Sequence, residues 1–257
     1  MSQHDNRAPR VALVTGGAMG IGAAISARLA ADGLHVLVAD INLDAATVTA
    51  NKINDSGGSA TPICMDVSNP ETIAQVFAAI ALDYGRCDVL INNAGIAKTY
   101  AFLDLPLDAW QKTVTTNLTS VLLCGQHAAR LMLRHKWGRI VNISSVSGLR
   151  ASAGRTAYGT SKAAVIGLTR QMAIELAEHG ITVNSVAPGP IDTAMTQTLH
   201  SAETRLSFTN GIPMKRYGTP DEIAAAVAFL AGADAAYISG HVVPVDGGFI
   251  AAGVLSI

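Results

Sequence analysis

The sequence predicts an α/β fold: a doubly wound parallel sheet of about seven strands with helices on both faces. Short β-branched runs alternate with helix-length amphipathic segments along the chain, most runs are apolar throughout, and a glycine cluster directly follows the first run. Continuous apolar strands belong to parallel sheets covered on both faces, whereas half-solvated strands alternate apolar with polar residues. Strands alternating with helices build the doubly wound arrangement.

In chain order the strand candidates are "RVALVT" (10–15), "HVLVAD" (35–40), "ATPICMD" (60–66), "CDVLINN" (87–93), "GRIVNIS" (138–144), "ITVNSVA" (181–187) and "HVVPVD" (241–246). The clearest helix is "TPDEIAAAVAFLAG", with Thr219 as N-cap, Pro220 at the first helical position, Glu222 closing a capping box and Gly232 as the stop. No linker, composition shift or fixed-period repeat divides the chain. Residues 1–9, "MSQHDNRAP", read as a polar tail and 10–257 as one domain. Within that domain, 190–213 carries neither a clear strand nor a long helix and is expected to be a lid over the substrate.

Composition narrows the function. The 257 residues are 49% hydrophobic and 14% charged, ample material for a core. Eighteen basic residues stand against 19 acidic, a formal net charge of −1 with no basic run, which argues against a nucleic-acid partner. No apolar run approaches the ~18 residues of a membrane span, and the polar start lacks a signal-peptide core, so a cytoplasmic protein away from the membrane is expected. Cys64, Cys87 and Cys124 are odd in number and widely spaced, which predicts reduced, buried thiols and neither a disulfide framework nor a zinc site. His127 and His135 lie eight apart without a carboxylate partner, so no metal is expected.

Directly after the first strand comes "TGGAMGIG", in which Gly16, Gly20 and Gly22 precede an apolar helix. Residues without a Cβ let the backbone approach a pyrophosphate, and the helix N-terminus offers unpaired N–H groups and a favourable dipole. The second strand ends at Asp40, whose carboxylate is placed to accept both hydroxyls of an adenosine ribose. A 2′-phosphate there meets a like charge, a repulsion of up to ~4 kcal/mol at an effective dielectric of about 20, while ~1.4 kcal/mol is already tenfold in affinity. No Arg or Lys lies between Thr15 and Ile25 to receive such a phosphate. The expected cofactor is NAD.

The chain resembles the short-chain dehydrogenase/reductase family, a Rossmann-fold family, from about Arg10 to Phe249. The resemblance rests on "TGGAMGIG" (15–22), "DV" (66–67), "NNAG" (92–95), "NISS" (142–145), "YGTSK" (158–162), "PGPIDT" (188–193) and "DGG" (246–248), all in the family's order. It implies that Asp66 and Val67 contact the adenine, that Asn93, Ala94 and Gly95 line the cofactor cleft, and that Pro188, Gly189, Ile191 and Thr193 border the nicotinamide. The cofactor set it implies also takes in Met19, Ile21 and Ile41, together with Tyr158 and Lys162. The family's catalytic Asn, Ser, Tyr and Lys fall on Asn117, Ser145, Tyr158 and Lys162.

Those four residue types suit hydride chemistry. Interconverting an alcohol and a ketone needs one group to take or give the hydroxyl proton, and Tyr158 serves both directions. An ordinary phenol, with pKa near ~10, is a poor base. Lys162 at i+4 shares its helix face, and a cation ~4 Å away is worth up to ~3 pKa units at an effective dielectric of about 20. Ser145, at the C-terminal end of the fifth strand, can hold the substrate oxygen, and Asn117 can interrupt its helix and hold a water, which the resemblance makes part of a proton relay to Lys162. Substrate contacts are expected from Ser145, Ser147, Arg155, Tyr158 and Met195, with Arg150 or Arg155 available to a carboxylate or phosphate.

The expected function is NAD-dependent interconversion of a secondary alcohol (a sugar, polyol or hydroxy acid) and its ketone by a homotetramer or homodimer. Two alternatives stand beside it. One is reduction of a 3-oxoacyl thioester within the same family, against which Asp40 weighs because biosynthetic reduction usually draws on NADPH. The other is a non-catalytic NAD-sensing regulator, which has no need of an intact Tyr158 and Lys162.

Overall fold

The computed structural model describes residues 9–253, apart from the side chains of Met195 and Leu199. Residues 1–8 of the predicted tail and 254–257 of the predicted domain lie outside the described residues. Seven strands form one sheet: β1 (Val11–Thr15), β2 (His35–Asp40), β3 (Ser59–Cys64), β4 (Val89–Asn92), β5 (Gly138–Ile143), β6 (Ile181–Pro188) and β7 (Val242–Val245). Every neighbouring pair is parallel. The spatial order is β3-β2-β1-β4-β5-β6-β7, so the chain starts mid-sheet, winds out to one edge and returns to lay β4 against β1.

Helices α1 (Gly20–Ala31), α2 (Leu43–Asp55), α3 (Pro70–Asp83), α4 (Leu107–Val114), α5 (Ser120–Met132), α6 (Thr156–Leu176), α7 (Ala194–Leu199), α8 (Ala202–Gly211) and α9 (Pro220–Ala231) connect the strands. Ile25, Leu29, Ile53, Ile223 and Val227 from α1, α2 and α9 pack on one face of the sheet. Ile73, Phe77, Cys124, Leu131 and Met132 from α3 and α5 pack on the other. β1, β4, β5 and β6 are buried along their whole length, as strands covered on both faces are. The α9 capping box forms as the sequence predicts, with Glu222 accepting from the Thr219 N–H at 2.8 Å and Thr219 accepting from the Glu222 N–H at 3.3 Å.

The segment 190–213 holds two short helices: Thr193 and Ser201 cap α7 and α8, so short polar caps impose order where apolar periodicity is weak. One expectation changes. Cys87 and Cys124 are buried, but Cys64, the last residue of β3 at the sheet's edge, is exposed. No helix among the described residues is long and apolar enough to cross a membrane.

A buried polar chain ties the middle of the sheet together. Asn142 on β5 accepts from Asn92 Nδ2 on β4 at 2.8 Å and donates to Thr169 Oγ1 on α6 at 2.9 Å, while Ser185 on β6 donates to the Asn142 carbonyl at 3.0 Å. The Asn142 side chain has no access to water, so nothing replaces a lost partner. Asn142→Ala is expected to cost about 3 kcal/mol in urea unfolding, because it strands the Asn92 amide and removes two hydrogen bonds. A loss below about 1 kcal/mol would show that the network contributes little.

Candidate active site

The chain reverses direction between β1 and β4, and ligands of doubly wound sheets bind at the strands' C-terminal ends beside such a reversal. One hydroxyl joins the two strand ends: Thr15 Oγ1 accepts from the N–H groups of Asn93 (3.0 Å) and Ala94 (3.1 Å) and donates to the Ile91 carbonyl (3.3 Å). Asn93 Nδ2 in turn donates to the carbonyls of Thr15 (3.0 Å) and Gly16 (2.9 Å). Asn93 thus braces the glycine loop through its side chain. Gly95 lies close enough to Asn117 and Lys162 that a Cβ there would stand 3.4 Å from both Asn117 Oδ1 and Lys162 Nζ.

The glycine loop has the shape a pyrophosphate needs. A Cβ on Gly22 would clash with the Gly16 carbonyl and lie 2.6 Å from Asn93 Nδ2, whereas one on Gly20 would find nothing nearer than Thr193 Cγ2 at 3.5 Å. Gly22 is therefore required for packing, while Gly20, at φ +53, opens one side of the loop. Met19 caps α1 with no side-chain acceptor, so the first-turn N–H groups are left for an anion. Ile21 is half-buried behind Met19, which is 64% exposed, and Ile41 after β2 is 68% exposed. Thr193 stands beside Gly20, its hydroxyl engaged in capping α7. These observations fit a dinucleotide.

Asp40 Oδ2 accepts from the Ala18 N–H of the loop at 3.3 Å, and Oδ1 from the Asn42 N–H at 3.1 Å. The cap of α2 is Asn42, which accepts from the Ala45 N–H at 3.0 Å, so Asp40 is not spent as a helix cap. Asp66 accepts twice from Ser68, at 2.8 Å from its N–H and 2.7 Å from its hydroxyl, through one oxygen, and Val67 packs against the core. Pro188 ends β6, and Gly189 donates to the Val245 carbonyl at 2.9 Å with no room for a Cβ beside Asp246. Ile191 is buried next to Gly218.

The four predicted catalytic residues converge on this cleft. Asn117 sits in a π-helical turn, Thr115–Thr119, between α4 and α5, the kind of widened turn that marks functional positions. Its fully buried amide accepts from the Ile96 N–H (2.8 Å) and donates to the Ile96 carbonyl (2.9 Å) and to Ser161 Oγ (3.1 Å). Both amide N–H groups are therefore engaged, and the expected water has no donor left on this side chain. Ser145 lies just past β5, acts on the Tyr158 phenol by lowering its pKa, and accepts from the Ser147 N–H at 3.1 Å. Ser147 thus supports Ser145 through its backbone.

Lys162 is buried. Nζ is 5.8 Å from the Tyr158 ring centroid and donates to the Ile143 carbonyl at 2.8 Å, and burial lowers its pKa to about 8. Desolvation raises the Tyr158 phenol above its ordinary value; Ser145 and the Arg155 charge offset part of that rise. The phenol is held protonated near neutrality. The i+4 spacing places both groups on one face, but burial was invisible to a spacing argument and outweighs the Coulombic gain.

Arg155 precedes α6, its guanidinium 5.7 Å from the Tyr158 ring centroid. Arg150 is exposed, 5.6 Å over Phe249. Met195 is on α7, but its side chain lies outside the described residues. His127 stacks on Phe77 at 5.3 Å. Sequence reading passed over Thr15, Ser161, His200 and Tyr217, which shape the site. Thr15 was visible as the polar end of an apolar strand, and Ser161 lay inside the quoted "YGTSK".

The model of the family described as Enoyl-(Acyl carrier protein) reductase matches residues 16–250. The chain is 44% identical over 244 residues to a 3-oxoacyl-(acyl carrier protein) reductase of Synechocystis, covering 94% of this chain and 97% of that one. It is 40% identical over 245 residues to a cis-4-hydroxycyclohexanecarboxylate dehydrogenase of Sinomonas cyclohexanicum, covering 95% and 98%. Among solved structures, a protein from Beutenbergia cavernae described as an NAD(P)-dependent gluconate 5-dehydrogenase, with NADP bound at low occupancy, superposes with a TM-score of 0.92 at 38% identity, covering 95% and 98%. The reductase relatives favour the thioester alternative over the simple alcohol.

Lys162 makes stability depend on pH. Its folded-state pKa of about 8 lies below the ordinary 10.5, so between these values the unfolded chain binds more protons and stability rises with pH. Lys162→Met is expected to remove up to about 3 kcal/mol of that rise, read as the difference between wild-type and variant urea unfolding on either side of the window. Identical pH slopes in the two proteins would refute it.

Proposed function

Because the chain belongs to the short-chain dehydrogenase/reductase family, we propose that it is a reductase of 3-oxoacyl thioesters that uses NADH, with Tyr158 as the proton donor. Its oxidoreductase chemistry acts on the C=O/CH–OH pair. The observation that carries the proposal is the Tyr158 phenol at the site, with Ser145 acting on it and burial raising its pKa above the ordinary value, which suits a group that gives a proton to a carbonyl oxygen. The 3-oxoacyl substrate rests on the reductase relatives.

Gly16, Gly20, Gly22 and the first turn of α1 would hold the cofactor's pyrophosphate, Asp40 its ribose, and Asn93 to Gly95 with Pro188 to Thr193 its reduced ring. When bound, that ring supplies the hydride. Ser145 Oγ then orients the substrate oxygen and stabilises charge developing on it. Tyr158 Oη gives its proton to that oxygen. Lys162, with a pKa of about 8, is able to replace the proton, while Asn117 fixes the Ile96 segment and Ser161 around them.

Asp40 supports NADH over NADPH, since both its oxygens are already placed by the glycine loop and Asn42. A second reading, oxidation of a cyclic or sugar alcohol with NAD, draws on the same carboxylate and on the hydroxycyclohexanecarboxylate and gluconate relatives. We place the protein in the cytoplasm as a homotetramer or homodimer built on α5 and α6, whose Leu122, Leu133 and Ile174 remain exposed.

Steady-state rates on acetoacetyl-thioester, cyclic-alcohol and gluconate substrates with each cofactor test these assignments. Wild type is expected to turn over the thioester fastest and with NADH. Tyr158→Phe should lose at least about a thousandfold in kcat, within the range of acid–base contributions. Asp40→Ala should move the NADP-to-NAD ratio of kcat/KM up by about tenfold or more. Preference for an alcohol substrate would transfer the proposal to the second reading, and NADPH preference in wild type would remove the role given to Asp40.

A further inference from the structure

The lid reaches the acid–base residue through one contact. Arg155 Nη2 lies 3.4 Å from Nε2 of His200, the residue that ends α7. A guanidinium has only donors, so Nε2 accepts, the ring is neutral, and its proton is on Nδ1, which faces the Tyr217 hydroxyl at 3.0 Å. The imidazole is clamped as well: Phe208 of α8 stacks on it at 5.2 Å and Tyr217 meets it edge-on at 6.0 Å. Arg205 of α8 lies 4.4 Å over the Tyr217 ring, and it pairs with Asp192 at 3.2 Å. Burial and the two flanking guanidinium groups, Arg155 and Arg205, hold the His200 pKa below its ordinary value, in keeping with a neutral ring.

Arg155 makes no ion pair with a carboxylate among the described residues. Its charge therefore acts uncompensated on what lies beneath it, the Tyr158 ring at 5.7 Å. Lys162 is about as far away, at 5.8 Å, but its ammonium is tied to the Ile143 carbonyl and titrates near pH 8, whereas a guanidinium keeps its charge. Ser145 is the other polar group on the phenol.

We propose that Arg155 is the positioning residue that supplies the permanent positive charge acting on the Tyr158 phenol, and that neutral His200 of the lid holds it there. Order in the lid is thereby coupled to the acidity of the proton donor. The proposal rests on Tyr158 being the acid–base residue. It differs from the expectation that Arg155 binds a substrate anion, because its effect is the same for neutral and anionic substrates.

The test has two readouts. The first is the phenolate absorbance of Tyr158 on titration, isolated as the difference between each protein and its Tyr158→Phe counterpart. The second is the pH profile of kcat/KM in the alcohol-oxidising direction, which needs the phenolate. Arg155→Met, which keeps the aliphatic stem, is expected to raise the Tyr158 titration by about one unit and to slow oxidation about tenfold on the acid limb, equally for neutral and carboxylated alcohols. Arg155→Lys should recover most of the loss, and His200→Ala should shift the titration the same way by less. A loss confined to carboxylated substrates with the titration unmoved would overturn the proposal in favour of anion binding. A shift in Arg155→Met but none in His200→Ala would overturn the part given to the lid. Turnover surviving in Tyr158→Phe alone would instead remove the acid–base reading on which the proposal rests, and the absorbance titration separates the two failures.

Discussion

The Thr15 hydroxyl closes the reversal between β1 and β4. By accepting from the N–H groups of both Asn93 and Ala94, it lets two strand ends diverge without leaving buried donors unpaired. Asn93 returns the support by holding the Thr15 and Gly16 carbonyls, so the glycine loop is anchored from the neighbouring strand as well as from its own. The cradle, the placement of Asp40 and the approach of Gly95 to Lys162 all depend on that geometry. A sheet wound in one direction only would have no such crevice to fill.

From the crevice inwards, the site is built of polar groups that burial makes costly unless each is matched. Asn117 spends its amide on Ile96 and Ser161, Lys162 spends a proton on the Ile143 carbonyl, and Asn142 binds β4, β5 and α6. Each pairing fixes a side chain that the chemistry needs in one place. The same desolvation moves the titrations: Lys162 falls towards neutrality while Tyr158 rises. The two groups, nearly equal in proton affinity in water, are thereby driven apart, so that Lys162 gives up a proton more readily than Tyr158.

Much of this was legible in the chain. The short β-branched runs, most of them apolar throughout, located all seven strands to within a few residues. The glycine loop was legible because Gly16 and Gly22 answer a steric demand that no other residue meets. The segment 190–213 was less so: α7 and α8 form on the caps Thr193 and Ser201 with little apolar periodicity to announce them. Cys64 appeared to belong inside with the other thiols, yet the winding order puts β3 at the edge, and winding order is not written in any one strand.

The sequence by itself determined the class of fold, the glycine cradle and the carboxylate at the end of β2, since these follow from local periodicity, backbone freedom and residue chemistry, while the resemblance to a family pointed to the four polar groups. Only the tertiary structure decided what those groups feel. The spacing of Tyr158 and Lys162 sets them on one helix face, but which cation acts on the phenol depends on burial and on Arg155, held by a histidine 45 residues further along the chain. Local spacing fixes which residues share a face. Dielectric surroundings and long-range partners exist only once the chain has folded.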